Sequence, residues 1–464
     1  MLKVDAIGNS IVSEIRGVSL STNWREIMFL KEMLKNRVCR NAGYLIGGRI
    51  IQMLFSVVIG FLTARYLGPA NYGLISYAGA YTAFFSSICT LGINSILVKE
   101  LVDHPEEEGV VIGTALGLRA ISSLLSALII VLVVSILDAD EPTTIVVVAV
   151  SSLGMFFQIV EVFNYWFQRR LNSRVTAKAT LIAYLLSSIY KIYLLITGKS
   201  VVYFALVSSI DHFIMGLILF LEYRKMKGPE LKFSIHYGKG MLGSSRHFIL
   251  SGLMVSIYNQ TDKLMLKQLV TDTEIGYYAI TISLCTMWCF VLQAIIDSVY
   301  PSIMEASKQQ NEHLFNKRNV QLYAVVFYVS MFVSLCFTIL AKPIVYILYG
   351  NEYIPAVPTL RVNTWLTAFS YLGVARNAWI VSKEKQKYLT RIYLISAIMN
   401  VILNYWLIPI LGATGAAIAS LAAQISTTVV VPFFVKEIRD NSIMILDAIT
   451  LRGILWNRNS MEEK

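Results

Sequence analysis

The sequence is poor in charge. Asp, Glu, Lys and Arg make up 15% of its 464 residues, against about a quarter in an ordinary soluble domain. Hydrophobic residues make up 56%, and the mean hydropathy is +0.61. So little charge cannot cover a large water-facing surface, which excludes a soluble globular fold. Cysteine is scarce as well: Cys39, Cys89, Cys285, Cys289 and Cys336, four of them inside apolar segments. Cys285 and Cys289 share a helical face, but no His or further Cys completes a metal set. They read as packing residues, and no disulfide framework, metal or other cofactor is expected. No Gly-rich GxxxxGK[ST] loop is present, which removes ATP hydrolysis by this chain from the expected activities. No connection is long enough to hold a catalytic domain. Asp138-Ala139-Asp140 matches a DxD metal–sugar pattern, but in a short outer turn, so an enzyme is not expected.

What the chain has instead is apolar runs of about 20 residues, the length that crosses a bilayer as a helix. Twelve spans are expected, near 41–64, 72–98, 110–137, 144–168, 175–197, 200–222, 241–269, 275–300, 320–348, 356–382, 387–411 and 413–437. The formal net charge of +11 would suggest nucleic acid in a soluble protein. Here most Lys and Arg fall in the tails and in connections such as "QRRLNSRVTAK", few in "DADEP", "TGKS" or "LGATG". That asymmetry places both termini in the cytoplasm, in a multi-pass cell-membrane protein with no nucleic-acid partner. Residues 1–40 hold no apolar core of signal-peptide type. Trp24, Ile27, Met28, Met33 and Leu34, set among basic residues, read either as an interfacial helix or as a solvated arm.

The halves look related. "RYLGPANYGLISYAGAY" (65–81) follows the first span and "KQLVTDTEIGYYAITIS" (267–283) follows the seventh. Each has a base, Leu two positions on, a turn, a Gly (Gly73, Gly276) and a Tyr-Ala pair (Tyr77-Ala78, Tyr278-Ala279). An even number of spans per repeat gives both repeats one orientation, with a pseudo-twofold axis along the membrane normal. The expected fold is all-α, two pseudo-symmetric six-helix bundles around a central cavity. Its parts are a cytoplasmic arm (1–40), a bundle (41–222), a cytoplasmic linker (223–240), a second bundle (241–437) and a cytoplasmic tail (438–464).

A charge in hydrocarbon costs about 2.5–3.5 kcal/mol on insertion scales, so intramembrane charges are expected to face protein or water. In the seventh span Gly252, Ser256, Asn259, Gln260, Lys263 and Lys267 follow helical spacing, with Asp262 beside them. The first span aligns Arg49, Gln52, Ser56 and Thr63; the third, Arg119, Ser122 and Ser126; the fifth, Tyr184, Ser187, Ser188 and Lys191. The sixth carries Asp211 and His212, the fourth Glu161. Arg49, Arg119, Lys191 and Lys263 form a cationic set suited to an anionic substrate. Gln52, Ser256, Asn259, Gln260, Tyr77 and Tyr81 are candidate polar cavity residues, and Asp262, Asp211 and His212 are candidates for coupling to an ion. Each has a structural alternative: cations snorkel, acids act as counter-ions, and Tyr77 and Tyr81 pack in a core. Arg376 and Asp297, nearer inner ends, read as snorkelling side chains. Gly43 and Gly47, and Gly412, Ala416, Ser420 and Ala423, read as helix-packing seams.

The motifs extend this reading. "ARYLGPANYGLISYAGAYTAFFSSICTLGINSILVKE", "NQTDKLMLKQLVTDTEIGYYA", "YGNEYIPAVPTLRV" and "LIPILGATGAAIASLAAQ" run through nearly the whole chain. On them the sequence resembles the polysaccharide-unit (Wzx-type) flippases of the multidrug/oligosaccharidyl-lipid/polysaccharide exporter superfamily. The resemblance implies alternating access and a lipid-linked oligosaccharide carried from the cytoplasmic to the outer leaflet for surface polysaccharide such as O-antigen. Membrane lipids and a polymerase of the same pathway are expected partners; the energy is expected from an ion gradient, with H+ or Na+ as coupling ion, from the membrane potential or from downstream consumption. Rival readings are an ion-coupled multidrug exporter, a peptidoglycan-precursor flippase, and a membrane-embedded polymerase or glycosyltransferase.

Overall fold

The computed structural model describes residues 37–450, without the side chains of 37–51, 53, 54, 95 and 390. Trp24, Ile27, Met28, Met33 and Leu34 therefore lie outside the described residues, as do the packing of Gly43 and Gly47 and the side chain of Arg49. Among those described, every regular element is helical. The helix Arg37–Cys89 is broken at Gly68, whose φ of 71° ends the first span, and Pro69 starts the second. Gly412, with φ 56°, divides Gln386–Ile425 between the last two spans in the same way.

Twelve crossings follow: 37–67, 69–89, Glu108–Leu137, Pro142–Arg169, Ser173–Thr197, Val201–Lys225, Ile235–Leu269, Asp272–Lys308, Glu312–Tyr349, 357–382, 386–411 and 413–434. Two short helices, Asn94–Asp103 and Arg439–Ile449, are added to them. Among the described residues, seven stretches are long and apolar enough to cross a membrane on length and composition, and the last of these, Gln386–Phe434, holds two crossings. Ile235–Leu269 is too polar to join them, because of the stripe around Asp262.

The helices are inverted relative to those of a soluble protein. On Glu108–Leu137, Leu124, Leu125, Leu128, Leu132 and Ile136 are exposed, while Ser122, Ser123 and Ser126 are buried. An apolar stripe turned outward and a serine stripe turned inward suit lipid outside and protein within. The chain also alternates as expected. The turns after odd-numbered spans meet at one end: Tyr66 donates to the Lys199 carbonyl, Lys267 pairs with Glu141, and Glu274 accepts from the Ala413 amide. The turns after even-numbered spans meet at the other, where Arg170 pairs with Glu108, Lys383 with Glu312, and the Lys232 amide donates to the Gly109 carbonyl.

The core differs between these ends. At the first of these ends, called outer after the Lys and Arg asymmetry of the sequence, one apolar cluster joins Leu74, Tyr77 and Val147 of the first bundle to Leu266, Ile275 and Ala416 of the second. A second joins Ala64 to Leu284, Tyr349 and Leu360. At the inner end the clusters separate. One is built from the first bundle around Trp166, Phe163 and Leu101, joined by Met241; the other is built wholly from the second around Tyr323, Leu372 and Ile445.

The repeat glycines explain the outer closure. A Cβ added at Gly73 would stand 1.9 Å from the Asp272 carbonyl oxygen, and one at Gly276 would stand 2.0 Å from that of Pro69. Each repeat's glycine thus admits the other repeat's turn, the reciprocity of a twofold contact. The neighbours are backbone and cannot swing aside. Gly276→Val is expected to hold the outer ends apart without preventing insertion. On a cysteine-free background, a cysteine at Gln268 should then label faster with a membrane-impermeant thiol reagent added outside; unchanged labelling would count against the contact as the closure.

Candidate functional site

The polar residues fall into three groups. The first lines a cavity of about 440 Å³ in the first bundle, bordered by Gln52, Ser56, Tyr184, Ser187, Lys191 and Asp211. Helical spacing on Ser173–Thr197 sets Tyr184, Ser187 and Lys191 on one face. Asp211 accepts from the Ser187 hydroxyl at 3.0 Å. The cavity offers a cation, a carboxylate and several hydroxyls without an ion pair that consumes the Lys191 ammonium. Its neighbour His212 turns away, with Nδ1 2.9 Å from Glu161 Oε1 on the fourth span.

Arg119 does not join Lys191. It is buried, and its guanidinium donates to Asn94 Oδ1 and stands near Tyr165 and Glu161. The cationic set expected from the sequence is therefore not one ladder. Lys191 lines the cavity, Arg119 is held in the bundle interior, and Lys263 lies half-buried on the seventh span.

The second group surrounds Asp262. Its Oδ1 accepts from Asn404 Nδ2 at 2.7 Å, and its Oδ2 from the Tyr278 hydroxyl at 2.5 Å and from Ser420. Asn404 Nδ2 also donates to Asn400 Oδ1 at 3.1 Å, and Asn400 Nδ2 to Ser420 Oγ at 3.2 Å. Asn404 Oδ1 is buried and has no partner. Asp262 is thus engaged by neutral donors of the second bundle and makes no ion pair with Lys263. Ser420, expected only to pack, is part of this network. Ser256 meets Ser87 at 3.2 Å, and Asn259 borders a smaller pocket with Arg376. The side-chain oxygen of Gln260 is buried without a partner.

The third group holds Tyr77 and Tyr81. Both are buried in the outer closure, 0% and 6% exposed, and Tyr81 also borders an apolar pocket of about 490 Å³ there, with Phe84, Leu264 and Gln268. The Tyr77 hydroxyl donates to Asp138 Oδ2 at 2.8 Å, and Gln268 Nε2 donates to Tyr77 and to Asp138 Oδ1, both at 3.1 Å. Beside them Lys267 Nζ reaches Glu141 Oε2 at 2.5 Å and Asp272 at 2.8 Å. Lys267, expected on the cavity stripe, instead bridges the two bundles. The tyrosines are buried because they pack at the closed end, which one helix's periodicity does not reveal. Arg376, expected to snorkel, is also buried; Asp297 is exposed and accepts from Gln293 at 2.8 Å. The sequence reading missed Glu141, Asn400 and Asn404. Asn400 and Asn404, four apart in an apolar span, carry the same polar-stripe signal that singled out the seventh.

Glu141 lies outside the spans, and its bonds with Lys267 and Thr144 hold its carboxyl below the usual range. The ionised form therefore favours the closed outer end. This contribution is present above the ordinary glutamate pKa and is lost as pH falls through the lowered one. Acidifying the outer medium should raise labelling of a cysteine at Gln268, and Glu141→Gln should give raised labelling that no longer depends on pH over that range. A wild-type and variant response of the same size and pH dependence would refute this role.

Residues 38–307 match the family described as polysaccharide biosynthesis protein, and residues 248–406 match MatE. Among solved structures, an inward-facing multidrug resistance MATE family transporter of the MOP superfamily matches with a TM-score of 0.63 at 13% identity, over 89% of this chain and 95% of its own. The lipid II flippase MurJ, in an inward closed conformation, matches with a TM-score of 0.63 at 14%, over 90% and 92%. A MOP superfamily transporter from Pyrococcus furiosus matches with a TM-score of 0.58 at 12%, over 90% and 98%. At these identities the likeness carries the fold alone. No curated protein matches the sequence.

Proposed function

This chain belongs to the family of polysaccharide biosynthesis proteins, and on that premise we propose that it flips a lipid-linked oligosaccharide across the membrane. The observation that supports this most is the hydroxyl-rich cavity holding Lys191 within a molecule closed at its outer end and divided at its inner end. A polyprenyl pyrophosphate would enter from the cytoplasmic leaflet. Lys191 attracts its phosphate, the Ser, Gln and Tyr groups bond its sugar hydroxyls, and the lipid tail stays in the bilayer between the bundles. Rocking of the bundles then breaks the Gly73–Gly276 approach and the Lys267–Glu141 pair and opens the outer end. Arg49 and Lys263 remain in this proposal as further phosphate contacts along the path.

The test is transport of a labelled lipid-linked oligosaccharide in vesicles. Lys191→Ala, Lys263→Ala and Arg49→Ala, at matched insertion, are expected to slow flipping about tenfold, the scale of one lost charge-assisted hydrogen bond. Full activity in all three would reject the phosphate role. Export of organic cations with no flipping would favour the multidrug reading instead.

Asp262 is the proposed coupling residue. Its carboxylate, with the oxygens of Asn400, Asn404 and Ser420, offers hard donors to Na+ or a protonation site to H+. Asp211 and His212 are secondary candidates. Asp262→Asn should leave insertion intact and make flipping insensitive to an imposed Na+ or H+ gradient; retained gradient dependence would move the coupling elsewhere.

A further inference from the structure

Arg376 has no part in the cavity of the first bundle or in the outer closure. It sits where the tenth span breaks between Val357–Ala375 and Asn377–Ser382, in the inner half of the second bundle. It is 1% exposed, and the ionisable groups acting on it are the phenols of Tyr393 and Tyr323, with no carboxylate among them. Nη1 donates to the Thr427 carbonyl oxygen at 3.0 Å, on the π-helical turn Ser426–Val430. Nε and Nη2 make no hydrogen bond of normal geometry, although Tyr393 stands beside the guanidinium. Those two N–H groups form one edge of the guanidinium, the parallel fork that a carboxylate or phosphate fills with two bonds.

The side chain borders a pocket of about 170 Å³, with Tyr258, Asn259, Asn377, Tyr393 and Gln424 around it. The walls are fixed. The Tyr258 hydroxyl donates to Gln424 Oε1 at 2.7 Å, and Gln424 Nε2 donates to Thr428 Oγ1 at 3.2 Å. Exposed Asn259 marks its mouth. A tether to Thr427 and a phenol beside the second edge call for neutral donors only, and a buried cation with no anionic partner is costly to keep.

We propose that Arg376 is an anion subsite in the second bundle, which receives one phosphate or carboxylate group in a two-bond fork. The site is separate from the Lys191 cavity and does not depend on what the protein transports.

The test uses the full chain in neutral phosphatidylcholine nanodiscs. Thermal unfolding is followed with inorganic phosphate, glucuronate or chloride at equal ionic strength. Phosphate or glucuronate is expected to raise the midpoint above the chloride value. Arg376→Lys keeps the charge but loses the fork and should weaken the apparent affinity about tenfold; Arg376→Gln should abolish the response. In a parallel arm, nanodiscs contain phosphatidic acid. Stabilisation there alone, lost in Arg376→Gln, assigns the site to a lipid phosphate; stabilisation by the soluble anions assigns it to a water-borne group. Should Arg376→Gln fail to fold, Asn259→Trp blocks the mouth and leaves the Thr427 bond, and it should also remove the response. No anion-specific shift in either arm, or one unchanged by Arg376→Lys and Asn259→Trp, overturns the proposal. The readout involves no transport, so its failure and that of the flippase reading are separable.

Discussion

Hydrocarbon does not solvate charge, and the placement of nearly every informative residue follows from that constraint. Along the third span the bilayer takes the leucines and leaves the serines to the bundle interior. The same pressure draws Asp262 into a shell of neutral donors and Arg119 against Asn94. Polar groups kept at this cost either fasten helices to one another or line water. Geometry separates the two: Asp262 is bonded on both oxygens, whereas Lys191 borders open space.

The outer closure shows how the internal repeat is used. Gly73 and Gly276 each receive the turn of the other repeat, and the flanking bases continue the pattern. Lys267 reaches Glu141, in the turn between the third and fourth spans, while Arg65 lies against Gly350, in the turn between the ninth and tenth. These turns are equivalent in the two bundles. A contact built from pairs of equivalent parts can open symmetrically about the axis, with no helix having to unfold. It is tightest where Gly73 meets Asp272 and Gly276 meets Pro69, so its strength rests on these two backbone positions more than on the half-exposed ion pair beside them.

Much of the fold was legible in the sequence. Apolar run length set the crossings, and Lys and Arg placement set which turns lie together. The short match around Gly73 and Gly276 gave the pseudo-symmetry, because a repeat preserves the residues that its interface needs. The candidate site was legible in part. Helical spacing brought Gln52, Tyr184, Ser187 and Lys191 to one wall, since each of those faces follows from one helix. It could not tell Arg119 from Lys191, or a buried Tyr77 from a cavity Tyr, since that depends on which neighbour covers the face. Glu141 was hidden for another reason: its partner is more than a hundred residues away, across the bundle boundary.

The two bundles carry different chemistry on similar scaffolds. The first holds the larger cavity, with a lysine, an aspartate and several hydroxyls around one open volume. The second holds an aspartate saturated by amides and hydroxyls, and an arginine whose second edge meets only a phenol beside a small pocket. Such a division suits a rocking transporter. A bulky guest needs space that changes its exposure, while a small ion or a single oxyanion needs a rigid shell that keeps its geometry as the bundle turns. The network around Asp262 ties the seventh, eighth, eleventh and twelfth spans together and does not cross to the first bundle, so an ion held there would move with its bundle as a body. The Tyr258–Gln424 bond ties the Arg376 pocket to the same helices. Seventh-span residues also reach the first bundle, through Ser256 to Ser87 and Lys267 to Glu141. The seventh span is therefore the element through which occupancy in the second bundle can bias the opening between the two.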